Sequence, residues 1–246
     1  MPLFPALLAL SLIAPATAPV VCIDPGHVSE VGRGTRGRKL TELAVAWQTA
    51  VSLKRELEGD GYTVVLTKKR EGEFVKNRRR AEIANAANAD LMVRLHCDAT
   101  GGSGFAVYYP SKPGKDADGK VGPSKEVVAK SRERAKRFHR AMAGVLKGKH
   151  RDNGLRTDLA TAVGARQGAL TGSIHSQVPV LLVEMVVLTN PRDEAFIASP
   201  AGRKAMAHAL AEGVREAVQG QGSAGFSLHG SAGFILPATL PTGWRL

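Results

Sequence analysis

The stretch VVCIDPGH, residues 20–27, passes from four apolar positions through a Pro-Gly turn to a histidine. Two further apolar runs end in a similar way, LMVRLH at residues 91–96 and VLLVE at residues 180–184. Such runs are typical of buried strands in a parallel or mixed sheet. In open α/β sheets, ligands bind in the crevice outside the carboxyl ends of the strands. We therefore expect the residues that end these runs, two histidines and a glutamate, to meet at that edge and form a hydrolytic metal centre.

Length and composition predict one α/β domain with short flanking segments. The chain has 246 residues, of which 43% are hydrophobic, and this suits a single catalytic domain at residues 19–219. Residues 1–18, with the apolar centre LLALSLIA followed by ATA, resemble a secretory signal peptide, and a short buried first helix is the alternative. This run is too short to span a bilayer comfortably, so we expect a protein that is not membrane-spanning but secreted, to the periplasm or cell wall. Residues 220–246 contain Gly, Ser and Pro and are interpreted as a C-terminal tail.

The chain is strongly basic, with a formal net charge of +12. A basic surface raises encounter rates with polyanions, which for an exported protein are anionic wall polymers or membrane head groups. The sequence has no basic stretch with interleaved aromatics and no finger or RNP-type pattern, so nucleic acid is not an expected partner.

The two cysteines, Cys22 and Cys97, are too few for a disulfide-built scaffold. We expect two buried thiols, with one bridge as the alternative.

The rest of the chain alternates helical and extended patterns around these runs. Helices are predicted at residues 40–57 and 74–88 and after the N-cap residues Ser124 and Ser199. Further strands are predicted at residues 62–67, 105–109 and 168–172, the last as an edge strand, with a polar loop at residues 110–123. The helix after Ser124 is crowded with Lys and Arg on its outer side, which we interpret as a solvated face, with a polyanion site as the alternative.

The two histidines gain their interest from placement, since a lone histidine is more often structural than a ligand. The Pro-Gly pair before His27 predicts a tight turn that presents the imidazole to the crevice, and His96 ends its own strand. Glu42 taken alone has the features of a solvated first-turn residue, favoured there by the helix dipole. Its helix starts just beyond the His27 loop, however. Glu42 could therefore complete a shell of two histidines and one carboxylate, the composition of a catalytic zinc site with one open position.

Glu184 ends an apolar strand, and an ionised carboxylate is costly to bury unless it is paired or serves a metal. We therefore expect Glu184 in the site, with a buried ion pair to an arginine as the alternative. Asp24 is expected either to orient a ligand histidine or to cap the loop. His175, upstream of the Glu184 strand, is interpreted as a surface histidine, with substrate contact as the alternative.

Five segments taken together resemble a known family. They are DPGH at residues 24–27, Glu42 at a helix start, LHCD at residues 95–98, VPVLLVE at residues 178–184 and LTN at residues 188–190. In this order, the chain is similar over residues 20–218 to the zinc-dependent N-acetylmuramoyl-L-alanine amidases, cell-wall hydrolases whose first motif is Asp-Pro-Gly-His. The resemblance implies that His27, Glu42 and His96 bind one zinc ion and that Glu184 is the catalytic carboxylate. It also implies a single domain with a twisted, mostly parallel sheet of about six strands and helices on both faces.

The substrate that the resemblance implies is peptidoglycan, hydrolysed at the amide between N-acetylmuramic acid and L-alanine. Two departures, Val186-Val187 for the usual Gly-Phe and Val28-Ser29 for the frequent Gly-Gly, predict a changed pocket shape with every ligand retained. Some family members carry an autoinhibitory helix where residues 101–123 are short and polar here, so we expect an unblocked site. Two alternatives remain, a zinc peptidase acting within the stem peptide and a non-catalytic peptidoglycan-binding module.

Overall fold

The structure, a computed structural model, describes residues 17–219. Its strands are β1 (Val20–Pro25), β2 (Thr63–Leu66), β3 (Leu91–Asp98), β4 (Phe105–Tyr109), β5 (Gly114–Lys115), β6 (Val121–Gly122), β7 (Asp152–Thr157) and β8 (Val180–Val187). Its helices are α1 (Glu42–Gly59), α2 (Asn77–Ala86), α3 (Lys125–Leu146), α4 (Ala162–Gln167), α5 (Thr171–Ile174), α6 (Pro191–Ala198) and α7 (Pro200–Gln219), with a 3₁₀ turn at Asp158–Ala160. The signal-peptide prediction lies almost wholly, and the tail prediction entirely, outside the described residues.

A mixed sheet of six strands, in the order β2-β1-β3-β8-β4-β7, organises this part of the chain. β2, β1, β3 and β8 run parallel to one another, whereas β4 is antiparallel to β8 and parallel to β7. The prediction of a single α/β domain with a mostly parallel sheet of about six strands is confirmed. From β1 the chain builds β2 on one side and later β3 on the other. The topological switch point, where open α/β sheets bind ligands, therefore lies at the carboxyl ends of β1 and β3.

The main hydrophobic core lies on one face of the sheet, because alternate strand residues point to opposite faces. Val21, Ile23 and Val93 are fully buried in this core, against α1, α3 and α7. The intervening residues Cys22 and Met92 pack on the other face, against α2. Helices therefore cover both faces, as expected. Toward the carboxyl ends of the strands the second face becomes polar, and there the candidate site lies.

Several predicted elements are confirmed. α1 begins at Glu42, and α3 follows Ser124, whose hydroxyl accepts a hydrogen bond of 3.2 Å from the backbone N–H of Val127. Both cysteines are free and buried, so the bridge alternative is wrong. No helix within residues 17–219 combines the length and the apolar character that crossing a bilayer requires.

The edge strand predicted at residues 168–172 is wrong. Gly168 adopts a φ of 93° and ends α4, and α5 begins at Thr171. The strand at that edge of the sheet is β7, whose polar sequence DNGLRT lacks the apolar pattern on which strand prediction depends. The segment predicted as a polar loop at residues 110–123 contains the two-stranded hairpin of β5 and β6.

Candidate metal centre

Three of the predicted site residues converge at the switch point of the sheet. His27 follows the end of β1, His96 lies near the carboxyl end of β3, and Glu42 is the first residue of α1. Nε2 of His27 and Nδ1 of His96 lie 3.2 Å and 3.0 Å from the same oxygen, Oε1 of Glu42. The candidate ligand atoms of the three residues all lie within 4.8 Å of one another. The structure thus brings these side chains together, whereas their role as metal ligands stays a prediction.

Two glycines let the backbone pass close to these side chains. The backbone N–H of Gly26 donates to the carbonyl oxygen of Leu95 at 2.9 Å, which ties the turn after β1 to β3. A Cβ added at Gly26 would lie 2.6 Å from Cε1 of His96. Gly34 adopts a φ of 80°, and a Cβ there would lie 2.5 Å from Oε2 of Glu42. Both positions therefore require glycine, the second for its conformation as well as for space.

Two buried cations donate hydrogen bonds to the backbone of His27. Its carbonyl oxygen accepts hydrogen bonds from Nη2 of Arg80, at 3.2 Å, and from Nζ of Lys68. Its Nδ1 lies 3.2 Å from the carbonyl oxygen of Gly32. In a metal-bound site, a proton on Nδ1 would leave Nε2, the nitrogen nearest Glu42, to bind the ion, which is the arrangement common among metal-binding histidines.

Glu42 is buried, so its interpretation as a solvated first-turn residue is wrong. Only 3% of its surface is exposed. Oε2 accepts a hydrogen bond of 2.8 Å from the backbone N–H of Thr35, and Oε1 accepts one of 3.0 Å from that of Cys97. Because these donors come from the loop before α1 and from the end of β3, they fix the carboxylate between the two histidines.

The charge states of these residues suit metal binding. Burial opposes ionisation of Glu42, but hydrogen bonds with His27 and His96 outweigh it and hold the pKa of Glu42 well below its usual range. Burial lowers the pKa of His96, although Glu42 opposes the shift. Near neutral pH, Glu42 is therefore a carboxylate and His96 a neutral imidazole, the forms that bind metals. Nε2 of His96 is buried and has no hydrogen-bond partner within residues 17–219. Two imidazoles and one carboxylate fit a zinc ion with an open coordination position.

Glu184 lies directly beside this cluster. It pairs in register with His96 on the adjacent parallel strand, so both side chains project from the same face of the sheet. Its Oε2 is buried and has no hydrogen-bond partner among the described residues. The nearby Arg94 donates instead to the carboxylate of Asp24. The alternative of a buried ion pair between Glu184 and an arginine is therefore wrong. Burial raises the pKa of Glu184 well above its usual value, and the charges of Glu42 and Asp98 raise it further.

Asp24 anchors a buried polar cluster next to the centre. Oδ1 accepts hydrogen bonds from Oγ1 of Thr67 (2.6 Å) and Nη1 of Arg80 (2.5 Å), and Oδ2 accepts one from Nε of Arg94 (2.9 Å). Within residues 17–219, Asp24 has no hydrogen bond to a histidine ring, so it does not orient a ligand directly. Arg80 also donates to the carbonyl oxygen of Val28 at 3.0 Å. The contacts therefore support the loop-capping alternative, with Arg80 as the intermediary.

His175 lies at the opposite edge of the sheet. Its Nε2 is 2.7 Å from Oδ2 of Asp116. His175 and the residues that precede β3 and β8 line a cavity of about 700 Å³. None of the predicted site residues lines this cavity. The structure therefore gives His175 no contact with the candidate centre.

Two acidic residues that the sequence prediction did not assign hold the loops around the centre. Oε1 of Glu194 accepts hydrogen bonds of 2.7 and 2.8 Å from the backbone N–H groups of residues 39 and 40, directly before α1. Oδ2 of Asp193 accepts hydrogen bonds from the backbone N–H groups of Gly104 (2.7 Å) and Val187 (2.9 Å). Acidic residues in the first turn of a helix are common because of the helix dipole, so the sequence contains no signal for these distant contacts.

Comparison with known proteins finds relatives of one kind along most of the chain. A family model described as N-acetylmuramoyl-L-alanine amidase matches residues 21–216. An N-acetylmuramoyl-L-alanine amidase of Mycobacterium tuberculosis is 29% identical over 233 residues, which cover 83% of this chain and 88% of that protein. The N-acetylmuramoyl-L-alanine amidase AmiA of Escherichia coli is 28% identical over 229 residues, which cover 79% of this chain and 74% of that protein.

Solved structures share the fold. The amidase Ami1 of Mycobacterium smegmatis superposes with a TM-score of 0.66 at 22% identity, covering 83% of this chain and 99% of that chain. The amidase AmiC2 of Nostoc punctiforme gives a TM-score of 0.63 at 24% identity, covering 82% of this chain and 97% of that chain. The arrangement of sheet and helices is therefore one that these proteins have in common.

Proposed function

This chain belongs to the N-acetylmuramoyl-L-alanine amidase family and hydrolyses peptidoglycan between N-acetylmuramic acid and L-alanine, and we propose that His27, Glu42 and His96 hold one zinc ion while Glu184 moves the protons of the reaction. One observation carries the proposal. Three side chains that could bind a metal ion converge beside a carboxylate oxygen that is buried and has no hydrogen-bond partner in the described part of the chain.

The chain's own residues prepare the site for the ion. A zinc ion held there would act as a Lewis acid on the scissile carbonyl and on the attacking water. Glu42 contributes the negative charge, and the N–H groups of Thr35 and Cys97 keep its carboxylate aimed at both imidazoles. The carbonyl oxygen of Gly32 orients the ring of His27 in the same way.

Glu184 is suited to the proton transfers that amide hydrolysis requires. A positioned group must take a proton from water during attack and give one to the departing nitrogen. Glu184 lies next to His96 in the sheet, with Oε2 not engaged by another residue of the described chain. Because burial raises the pKa of Glu184, its carboxylate is a stronger base than an exposed one and retains the proton until the amine leaves.

Replacing Glu184 with glutamine tests this role, because the shape is kept and the acid–base function is lost. We expect Glu184→Gln to lose at least about 100-fold in kcat, the usual contribution of general acid–base catalysis. Metal analysis should still find one zinc per chain. Mass spectrometry of digested sacculi identifies the bond, since an amidase releases peptides with a free alanine amine and leaves peptide-free glycan strands. The matched control is Glu126→Gln on α3, an exposed glutamate that should change neither result.

Three outcomes would contradict the proposal. Turnover by Glu184→Gln close to that of the wild type would remove Glu184 from the reaction. Wild-type products cut inside the stem peptide would support the zinc-peptidase alternative, and binding of sacculi without any product would support a non-catalytic module.

We propose further that residues 1–18 direct export and that residues 19–219 form the catalytic domain, which acts in the periplasm or cell wall. The support is the apolar centre of residues 7–14 followed by ATA at residues 16–18. N-terminal sequencing of the protein recovered from the cell envelope should find residues 1–18 removed. Recovery of the intact N-terminus there would contradict this proposal.

We also propose that a row of exposed cations on α3 binds anionic wall polymers. Arg132, Lys136 and Arg140, named here the α3 cation row, are exposed and follow one another at four-residue intervals. This spacing places them along one side of the helix, about 6 Å apart. Lys130 on the same helix is instead neutralised by Glu126, at 2.7 Å. The row therefore offers positive charge that glutamates of its own helix do not balance.

A further inference from the structure

A cavity of about 290 Å³ opens beside Glu184. β8, which carries Glu184, lies between β3 with His96 on one side and β4 on the other. The cavity is lined mainly from β4, β7 and the loop before β4, with Asp98 at the end of β3, so most of it lies on the side of Glu184 that faces away from the candidate metal ligands. A substrate that is cut at Glu184 must extend one of its two ends across this side.

Small residues keep this cavity open next to the carboxylate. Ala106 is the β4 residue paired with Glu184, and it projects from the same face of the sheet. Gly102 and Gly104 border the cavity at the loop before β4. Because none of these three residues fills the space, the cavity reaches Glu184 directly.

The cavity wall carries a cation, Arg156, that forms no salt bridge within residues 17–219. Arg156 lines it from β7 and pairs with Tyr108 in the sheet. Within the described residues, its Nε donates a hydrogen bond of 3.3 Å to a neutral group, the carbonyl oxygen of Asn153. Asp98, the wall's other acidic residue beside Glu184, is turned into its own loop, where its carboxylate accepts hydrogen bonds from the next two backbone N–H groups. Arg151, which precedes β7, adds a second cation to the wall.

We propose that Arg156 binds a carboxylate of the peptide that departs with L-alanine and so selects substrates by charge. This inference rests on the proposed function, which puts the scissile amide at Glu184. The N-acetylated glycan end of the substrate is neutral, whereas the stem peptide carries free carboxylates. The Arg156 guanidinium therefore fits the peptide end. A guanidinium group binds a carboxylate through two parallel N–H···O bonds, which gives the contact direction as well as strength.

The spacing of the strands indicates which carboxylate Arg156 reaches. β7 lies two strand positions from β8, about 10 Å, and Arg156 is offset by two residues from the level of Glu184, about 7 Å. These offsets combine to a backbone separation of about 12 Å, and because both side chains project from the same face, an Arg156 side chain that leans toward Glu184 covers part of it. The remainder corresponds to about two residues of extended peptide, at roughly 3.5 Å each. The recognised group is thus the free carboxylate of the residue that follows L-alanine.

Two soluble substrates that differ in one group test this assignment. Both are N-acetylmuramoyl-L-alanyl-D-glutamate with the side-chain carboxyl group of the glutamate blocked as an amide. The α-carboxylate is free in one substrate and amidated in the other. We expect the wild type to prefer the free carboxylate about tenfold in kcat/KM, the effect of one partly exposed charged contact. Arg156→Gln should bring the ratio near one, mainly through a raised KM for the charged substrate, and Arg156→Lys should restore part of it. Arg166→Gln, an exposed arginine of α4 outside the cavity, should keep the wild-type ratio.

The outcomes separate this assignment from the proposed function. The assignment is supported if Arg156→Gln has a lower ratio of kcat/KM between the free and the amidated substrate but unchanged turnover of the amidated one. That unchanged turnover also shows that Arg156→Gln is folded. If the wild type cuts both substrates at the muramoyl amide without preference, or if Arg156→Gln keeps the preference, the assignment is overturned and the proposed function stands. If the wild type cuts a different bond, both are overturned.

Discussion

Asp24 is a fully buried carboxylate that faces two guanidinium groups, those of Arg80 and Arg94. Burial favours its neutral form, but the two arginines and the Thr67 hydroxyl outweigh burial and hold the pKa of Asp24 well below its usual range. A single anion thus holds two cations in the interior. Because Arg80 also binds the backbone of His27, this charge cluster connects the sheet to the loop of the metal centre.

Removing the charge of Asp24 should destabilise the whole domain. Asp24→Asn leaves two buried guanidinium groups without their counter-ion, and breaking a buried pair in this way costs about 3–5 kcal/mol. We expect a loss of this size in the free energy of unfolding, measured by urea denaturation at pH 7. Glu82→Gln, which removes an exposed charge paired with Arg78, is the control and should stay near the wild type. A loss for Asp24→Asn as small as that of the control would contradict the argument.

The same cluster determines the sign of a pH effect. The pKa of Asp24 is lower in the folded state than its usual value of about 4. Its charge therefore stabilises the fold fully above about pH 5, and this contribution is lost as the pH falls through 4 and below. The stability difference between the wild type and Asp24→Asn should shrink over that acid range. A difference that stays constant down to the lowest pH at which both proteins fold would contradict this prediction.

At the level of elements, α6 holds two active-site loops through hydrogen bonds to the acidic residues of its first turn. Glu194 holds the N–H groups of residues 39 and 40 before α1, and these contacts keep the pKa of Glu194 below its usual range. Asp193 holds the N–H groups of Gly104, before β4, and of Val187, at the end of β8. One short helix thus aligns the start of α1, which carries Glu42, with the end of the strand that carries Glu184.

Glu194→Ala should therefore weaken the metal centre from a distance. Without the carboxylate, the segment before α1 loses two hydrogen bonds, and the start of α1 is held less firmly although Thr35 and Cys97 still bind Glu42. Loss of such supporting contacts typically lowers metal affinity about 10- to 100-fold. We expect a fall of that order in zinc affinity, measured by competition with a chromogenic chelator. Arg192→Ala on the exposed side of α6 is the matched control. Wild-type zinc affinity in Glu194→Ala would show that α6 does not position Glu42.

At the scale of the whole molecule, the main core and the metal centre occupy different parts of the sheet. The core joins one face to α1, α3 and α7, whereas the centre lies at the carboxyl edge of the other face. The fold is therefore stabilised largely by apolar burial that does not involve the ligands. Zinc should add stability to a domain that is already folded.

Chelation tests this separation. The metal-free protein should keep its secondary structure and lose activity, and zinc at 100 times its dissociation constant should restore about 2.7 kcal/mol. For a domain of this size, that corresponds to a rise in Tm of roughly 5–10 °C. Circular dichroism during heating measures both effects, and His27→Ala should not respond to zinc. Complete unfolding on chelation, or a Tm that zinc leaves unchanged, would contradict this view.

The α3 cation row should retain the protein on cell walls through its positive charge. Retention of the protein on isolated cell walls should fall as the salt concentration rises, because exposed charges are screened. The double variant Arg132→Glu/Lys136→Glu should lose most of this retention while cleaving a soluble muropeptide normally. Arg203→Glu/Lys204→Glu makes the same change in net charge at exposed positions of α7 and should retain binding. Equal losses in the two variants would indicate that only net charge matters.

Predictability differed between central and peripheral elements. The central strands have continuous apolar runs, so β1, β3 and β8 were recognisable, and the carboxyl-edge rule brought His27 and His96 together correctly. β7 has a polar sequence because it lies at the sheet edge, and the glycine at residue 168 ends a helix through a positive φ. Those outcomes depend on neighbours that local sequence patterns do not contain.

Local sequence patterns identify which residues end the central strands, and therefore which side chains reach the edge of the sheet, because strand periodicity and chain direction are local properties. Folding buries Glu42, pairs Asp24 with two arginines and brings Glu194 into hydrogen-bond contact with a loop 154 residues away. These depend on contacts between segments that only folding brings together. Charge and hydrogen-bond energies follow distance in space and the local dielectric, and separation along the chain specifies neither.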